Sequence, residues 1–192
     1  MSTDKHLLVA LMENRPGVLN RVVSLFRQRN FNLDSLTVGR TEREHVSRMT
    51  LVLDGSRADT ERLRRELCKL IQVIRVEHLT EVPHVKRDLA LIKVTVTPET
   101  RPEIQHICDV FRARIIDMAR DTLAVELTGD EDKIEGFIEL VRPFGIVELV
   151  RTGLVAIGRG EHILDDHNYR STWAERQGES GAATSKKGET TS

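Results

Sequence analysis

The apolar pattern of the chain runs through the same order twice, and this repeat constrains the fold more than any other feature. Each half reads strand, helix, strand, strand, helix, strand. Helices are predicted where apolar residues recur at the 3.6-residue period and share one face. The first-half stripes are Leu19, Val22, Val23, Phe26 and then Leu63, Leu67, Leu70, Ile71. The second-half stripes are Ile104, Ile107, Cys108, Phe111 and then Ile134, Phe137, Ile138, Val141.

Short runs rich in β-branched residues supply the strands between these helices. They lie at 7–12, 31–38, 47–53 and 73–79 in the first half, and at 89–96, 114–118, 123–127 and 147–150 in the second, with 154–157 closing the chain's pattern. We therefore predict an α+β protein of two tandem ferredoxin-like βαββαβ modules. The modules occupy residues 5–80 and 87–160, and the polar segment 80–86, which contains Pro83, is the predicted linker.

The end of the chain has a different composition. Residues 175–192 contain no Val, Ile, Leu, Met, Phe, Trp or Tyr and are rich in Gly, Ser, Thr, Lys and Glu. Such a segment buries too little apolar surface to offset the entropy lost on ordering. We predict a disordered C-terminal tail over 165–192.

Composition excludes several classes of protein. Lys and Arg number 29 against 30 Asp and Glu, so the net charge of -1 lacks the positive surplus of a nucleic-acid or polybasic membrane binder. The chain has no apolar run of 18 residues to span a bilayer, and the stretch 7–12 is too short for a signal peptide. Cys68 and Cys108 fall in different halves and do not indicate a disulfide framework. These features predict a cytoplasmic protein with no membrane or nucleic-acid partner.

The first strand predicts association. Residues 7–12 are apolar at both even and odd positions, so neither face of the sheet should be wet there. A ferredoxin-like module also leaves a sheet edge open, and open edges invite pairing with another chain. Both observations point to association, and neither identifies the partner.

The candidate site is the loop from the first strand into the first helix, Glu13-Asn14-Arg15-Pro16-Gly17-Val18-Leu19. Pro16 and Gly17 stand where the helix begins, so the amides of the first turn should lack intrahelical partners. Free amides at the positive end of a helix dipole suit a carboxylate. Gly17 allows close backbone approach, and Asn14 both donates and accepts hydrogen bonds, as a zwitterion requires. The same residues also make an ordinary tight turn, so the spacing alone does not establish a site.

A second asparagine, Asn32, opens the strand 31–38 and could complete the site from a neighbouring copy. With it come further sequence words: Phe31-Asn32-Leu33-Asp34-Ser35-Leu36-Thr37-Val38, Ser47-Arg48-Met49-Thr50, Phe111-Arg112-Ala113-Arg114-Ile115-Ile116-Asp117, Glu126-Leu127-Thr128-Gly129 and Arg151-Thr152-Gly153. In this order and spacing, over about residues 5 to 160, the chain resembles the small regulatory subunits of acetolactate synthase (acetohydroxyacid synthase), whose first module is an ACT domain.

This resemblance implies a non-catalytic protein without a catalytic or metal site of its own. It implies a homodimer in which two ACT domains pair edge to edge and hold a branched-chain amino acid, valine in many members, between them. The effector-binding residues carried over by motif are Asn14, Pro16, Gly17, Val18 and Leu19 of one chain with Asn32 and Leu33 of the other. The expected partner is the large catalytic subunit of branched-chain amino-acid biosynthesis, which carries thiamine diphosphate, Mg²⁺ and FAD. Pro16 and Asn20 fall at variable loop positions of the family, which leaves the exact effector open.

Two other functions fit parts of the pattern. A free-standing ACT-type sensor of another enzyme would share the first module, although it would not explain the likeness of the second. An acylphosphatase-like hydrolase shares the βαββαβ order and would use Arg15 to hold an anion, but the loop lacks a longer glycine-containing phosphate cradle. The seven histidines show no metal-ligand spacing on one helical face and are interpreted as structural or surface residues.

Overall fold

A computed structural model describes residues 5–164, and the predicted disordered tail at 165–192 lies outside them. The strands are β1 (Lys5–Glu13), β2 (Leu33–Arg40), β3 (Val46–Asp54), β4 (Val73–His78), β5 (His84–Thr95), β6 (Arg114–Met118), β7 (Thr122–Gly129), β8 (Ile146–Arg151) and β9 (Val155–Gly158). The helices are α1 (Val18–Arg29), α2 (Arg57–Leu67), α3 (Arg101–Phe111) and α4 (Glu131–Val141). Short 3₁₀ turns follow β4 at Leu79–Glu81 and α4 at Arg142–Phe144.

The strand order confirms the two βαββαβ modules. The first sheet runs β2-β3-β1-β4 and the second runs β6-β7-β5-β8, and the strand pairs within both are antiparallel. Each sheet has its first strand in the centre, which is the ferredoxin-like order. In both, β2 and β6 form one edge, since each pairs with a single neighbour in the described part of the chain.

Each module has its own core between the sheet and its two helices. In the first, Leu8, Ala10 and Met12 of β1 pack with Val22 and Phe26 of α1. In the second, the whole predicted α4 stripe is buried. Two parts of the predicted stripes do not face a core.

Ile71 is the first, because α2 ends at Leu67 and the following turn leaves the Ile71 side chain 74% exposed. The second is the pair Leu19 and Val23, which flank the buried stripe of α1 and are about two-fifths exposed. Helical periodicity predicts which face of a helix is buried. It predicts neither the last residue of the helix nor how wide a strip of its surface the rest of the protein buries.

The odd-numbered face of β1 is also buried, as its composition predicts, but the cover comes from the same chain. The expectation that this face of β1 indicates association with another chain is therefore corrected. Leu7, Val9 and Leu11 pack against Leu154, which immediately precedes β9, and Ala156, which lies within it. The predicted linker is accordingly shorter than 80–86. β5 begins at His84, and its first four residues pair with β9 across the back of the first sheet.

Polar contacts fasten the second module to the first. Thr37 Oγ1 of β2 donates to the carbonyl of Thr152 at 3.0 Å, and Lys5 Nζ lies 3.0 Å from Asp34 while also bonding Glu131. The bond to Glu131 is the main reason that the pKa of Lys5 is raised. Gly153 has φ +78 and sits so close to β2 that a Cβ there would lie 2.5 Å from Ser35 Oγ. The two modules therefore share a tight interface along β2.

Candidate functional site

The predicted loop lies where β1 gives way to α1, and its backbone is shaped by Gly17. Gly17 is the N-cap of α1 with φ +85, a left-handed conformation that favours glycine. Pro16 and Gly17 are exposed, while the side chain of Val18 turns into the core. The backbone of the loop is therefore open to solvent up to Gly17, and the chain becomes buried at Val18, the first residue of α1.

The start of α1 lacks the groups that usually neutralise a helix N-terminus. No side chain caps α1, and its first turn contains no acidic residue. α2 has a Ser56–Asp59 capping box, and α4 is capped by Asp130. The amides of Gly17 and Leu19 make no hydrogen bond within the described chain, whereas the Val18 N–H donates a long bond of 3.4 Å to Arg15 O. This end of α1 keeps an unsatisfied positive potential that suits an anion.

Asn14 ties the loop to the β2–β3 hairpin. Its side-chain amide donates to the carbonyl of Glu44 at 3.0 Å, and its backbone N–H donates to His45 O at 2.8 Å. The Asn14 side-chain oxygen remains able to accept a hydrogen bond. This tether could not be predicted from the sequence, because no residue type in the hairpin indicates that its carbonyls will face a loop thirty positions earlier.

Arg15 has a different environment from the one that an anion cradle needs. Its guanidinium lies 2.5 Å from the buried carboxylate of Glu13. Because this pair already satisfies the charge of Arg15, the arginine supports the loop instead of offering a free cation to a phosphate. The acylphosphatase-like alternative required Arg15 to hold an anion, and this ion pair with Glu13 argues against that role.

A single chain does not bring together all the predicted effector-binding residues. Gly17 stands before α1, whereas Asn32 and Leu33 follow it at the start of β2. The 12 residues of α1 separate the two groups by about 18 Å, at 1.5 Å per residue. Asn32 is exposed and Leu33 is partly buried against the core.

The edge next to these residues has an apolar surface. Leu36 and Val38 of β2 lie in register with Leu51 and Met49, so they share the helix-bearing face of the sheet, yet both are more than a third exposed. Leu19 and Val23 add exposed apolar surface on α1. An edge strand with an apolar flank is a surface suited to a second protein chain.

Other kinds of site are not visible in the described residues. Between residues 5 and 164 no group of three or more His, Cys, Asp or Glu side chains could hold a metal ion. Within the same range no helix is both long and apolar enough to cross a membrane.

Comparisons with known proteins agree across both modules. A family profile described as "AHAS small subunit-like ACT domain" matches residues 8–75, and one described as "Small subunit of acetolactate synthase" matches residues 87–160. The chain is 52% identical over 156 residues to the probable acetolactate synthase small subunit of Archaeoglobus fulgidus, covering 81% of this chain and 98% of that protein.

Two further relatives lie in bacteria. The acetolactate synthase small subunit of Bacillus subtilis is 46% identical over 158 residues, covering 81% of this chain and 91% of that protein. The crystal structure of the small subunit from Thermotoga maritima superposes with a TM-score of 0.76 at 37% identity, covering 82% of this chain and 98% of that one.

Proposed function

The chain belongs to the family of acetolactate synthase small subunits, and from this premise we propose that it activates a catalytic large subunit and makes it sensitive to a branched-chain amino acid. Valine is the effector that we propose first. The chain itself performs no chemistry in this proposal. Thiamine diphosphate, Mg²⁺ and FAD belong to the large subunit, and the complex works in the cytoplasm.

One observation carries the effector site: α1 begins at a left-handed glycine with no cap and no acid in its first turn. A carboxylate placed there would meet the amides of Gly17 and Leu19 and the positive end of the helix. Each such interaction of an anion with a helix N-terminus contributes about 0.3–1 kcal/mol when exposed, and more when it is partly buried. The Asn14 side-chain oxygen is available to accept from the ammonium group of the same ligand.

A dimer formed through β2 would complete this site. The Asn14–Glu44 bond places the loop beside the hairpin that follows β2, and so at the end of the strand marked by Arg40. In an antiparallel β2–β2 pair related by a twofold axis, the partner's strand starts where this one ends. Asn32 and Leu33 of the second copy would then lie beside Asn14 and Gly17 of the first, which supplies the residues that α1 keeps apart within one chain.

The two modules would then have different tasks. We assign effector binding and dimerisation to residues 5–80, and we assign residues 87–160 to the framework that supports that module from behind. Because each effector touches two chains, its binding favours one arrangement of the dimer. Linkage transmits that preference to the bound catalytic subunit.

Calorimetry with valine tests the site through a pair of matched variants. Gly17→Asp places a carboxylate against that of the ligand, whereas Gly17→Asn is nearly the same size and tolerates the left-handed conformation equally well. We expect at least a tenfold loss of affinity in the aspartate variant beyond that of the asparagine variant. Equal affinity in both would show that the effector carboxylate binds elsewhere.

Acetolactate formation by the large subunit of the same organism tests the partnership. Adding the wild-type chain should raise the rate, and valine should lower the rate of the mixture more than that of the large subunit alone. A chain that binds valine yet leaves the large subunit unchanged would instead be a free-standing sensor of another enzyme.

A further inference from the structure

A groove crosses the back of the first sheet beside the ribbon formed by β9 and the first residues of β5. The ribbon covers β1 through Leu154 and Ala156, and Val46, Thr50 and Val52 on the back of β3 are also buried. The groove therefore opens mainly over the back of β2. The floor of the groove is formed by residues such as Thr37 and Thr50, and the wall by Val155 and Ile157 of β9. It lies on the face opposite α1 and α2.

The groove has two lobes of about 340 Å³ each, which meet at shared residues. Arg40, Arg48 and Ile157 line both lobes. One lobe extends towards Val85 and Arg87, and the other towards the β2–β3 hairpin and Ile163. Ile157 and Ile163 are more than half exposed, so the groove offers apolar side chains that the described chain does not cover.

Arginines surround this apolar surface. Arg40, Arg43, Arg48 and Arg87 line the lobes, and Glu42 is the single acidic residue among the described lining residues. Glu42 is largely exposed and lies 3.7 Å from Arg43. The local surplus of positive charge contrasts with a chain whose net charge is -1. Such a rim attracts carboxylates and disfavours a basic occupant.

Arg48 adds a desolvated donor at the junction of the lobes. One of its terminal nitrogens donates to Ala156 O at 2.8 Å, while its buried Nε has no hydrogen-bond partner in the described chain. Burial lowers the pKa of Arg48, and Glu77 and Glu42 partly oppose that effect. A buried charge without full compensation is costly, and a carboxylate arriving from outside would reduce that cost.

We propose that this groove, the back groove, binds an extended segment of the catalytic large subunit that carries a carboxylate between apolar side chains. The paired lobes match apolar residues on either side of an acid, and the arginines at the junction match the acid itself. The inference rests on the proposed partnership, but it concerns a surface on the opposite side of the sheet from the effector loop.

Site-specific photo-crosslinking identifies the occupant. A benzophenone amino acid at position 157 in the full-length chain probes the back groove, and the same group at Val110, an exposed position on α3, is the control. With the large subunit present, we expect a light-dependent adduct from position 157 that maps to an acid-containing apolar segment of that subunit. An adduct only to a second copy, only to this chain's own residues beyond 164, or to nothing would overturn the proposal.

Charge reversal provides an independent test. Arg87→Glu changes the exposed rim of the groove, and Arg65→Glu makes the same change of charge on an exposed position of α2, on the other face. We expect the concentration giving half-maximal activation to rise at least tenfold for Arg87→Glu and to change less than threefold for Arg65→Glu. Raising the salt concentration should weaken the wild type more than Arg87→Glu, because the interaction that salt screens is already missing in the variant.

Valine calorimetry on Arg87→Glu shows whether the variant is folded and retains its effector site. If wild type activates and Arg87→Glu activates at the same concentration, the back groove is not the docking surface, while the proposed function stands. If the wild type activates no large subunit, both proposals fail.

Discussion

The two modules share one strand order but differ at the start of their first helices. α1 begins at Gly17 without a cap or an acid. α3 also lacks a side-chain cap, but it has Glu103 in its first turn, and the Thr100 N–H at its start donates to Thr97 Oγ1 at 3.3 Å. Each loop is tied to the hairpin of its own module, through Asn14 in the first and Arg101 in the second. Topology therefore fixes where a helix starts, and side chains decide whether that start can accept an anion.

The residues that flank the buried stripe are apolar on α1 and polar on α3. In α1 the residues that follow the buried Val18 and Val22 are Leu19 and Val23, whereas in α3 the residues that follow Ile104 and Cys108 are Gln105 and Asp109. Both sheet edges carry exposed apolar residues, including Val38 on β2 and Met118 on β6. The apolar helix flank next to β2 is what favours the first edge for dimerisation.

Lysine substitutions on the two edge strands, β2 and β6, test which sheet edge forms the dimer interface. Val38→Lys should dissociate the proposed dimer, because symmetry places the change at the interface twice and each lost apolar side chain costs about 2 kcal/mol, or about 4 kcal/mol per dimer. Met118→Lys should leave the dimer intact. Sedimentation equilibrium measures both dissociation constants, and dissociation by Met118→Lys alone would move the interface to the second module.

The contact between the modules can be tested at two glycines with positive φ. Gly153→Ala should destabilise the chain by about 3 kcal/mol, since it adds backbone strain and a steric clash with Ser35 and Thr37. Gly160 has φ +66, but an added Cβ there would meet open space. Gly160→Ala should therefore lower the free energy of unfolding by about 1 kcal/mol through backbone strain alone. Urea unfolding of both variants gives the difference. Equal costs would mean that β2 does not pack against Gly153 in solution.

Alkylation of the two cysteines, one in each module, is the prediction with the smallest expected effect on the protein. Cys108 is buried in the second core, and burial raises the pKa of its thiol to about 11, so at pH 8 it stays protonated and shielded. Cys68 is exposed at the end of α2. Mass spectrometry after iodoacetamide treatment of the native protein should show one alkylated cysteine per chain, at Cys68. Rapid labelling of Cys108 would indicate that the second module opens more readily than its packing suggests.

The positions of most strands and helices could be predicted from the sequence, because they depend on the spacing of apolar residues within short segments. The β6 prediction coincides with the observed Arg114–Met118, and the buried α4 stripe matches residue by residue. The pairing of β9 with the first residues of β5 did not follow, because strand patterns do not specify partners that are seventy positions apart. For the site, residue types predicted the exposed loop and the uncapped helix. The bonds from Asn14 to Glu44 and from Arg15 to Glu13 depend on packing and required coordinates.

The long strand β5 takes part in both halves of the molecule. Its first four residues pair with β9 behind the first sheet, and the rest form the centre of the second sheet. A cut at residue 82 would therefore strip the first module of its lid and expose Leu7, Val9 and Leu11 to water. The first half is in this sense an incomplete protein: its second face is encoded some seventy residues downstream, and a shortened gene product must find a substitute surface or aggregate.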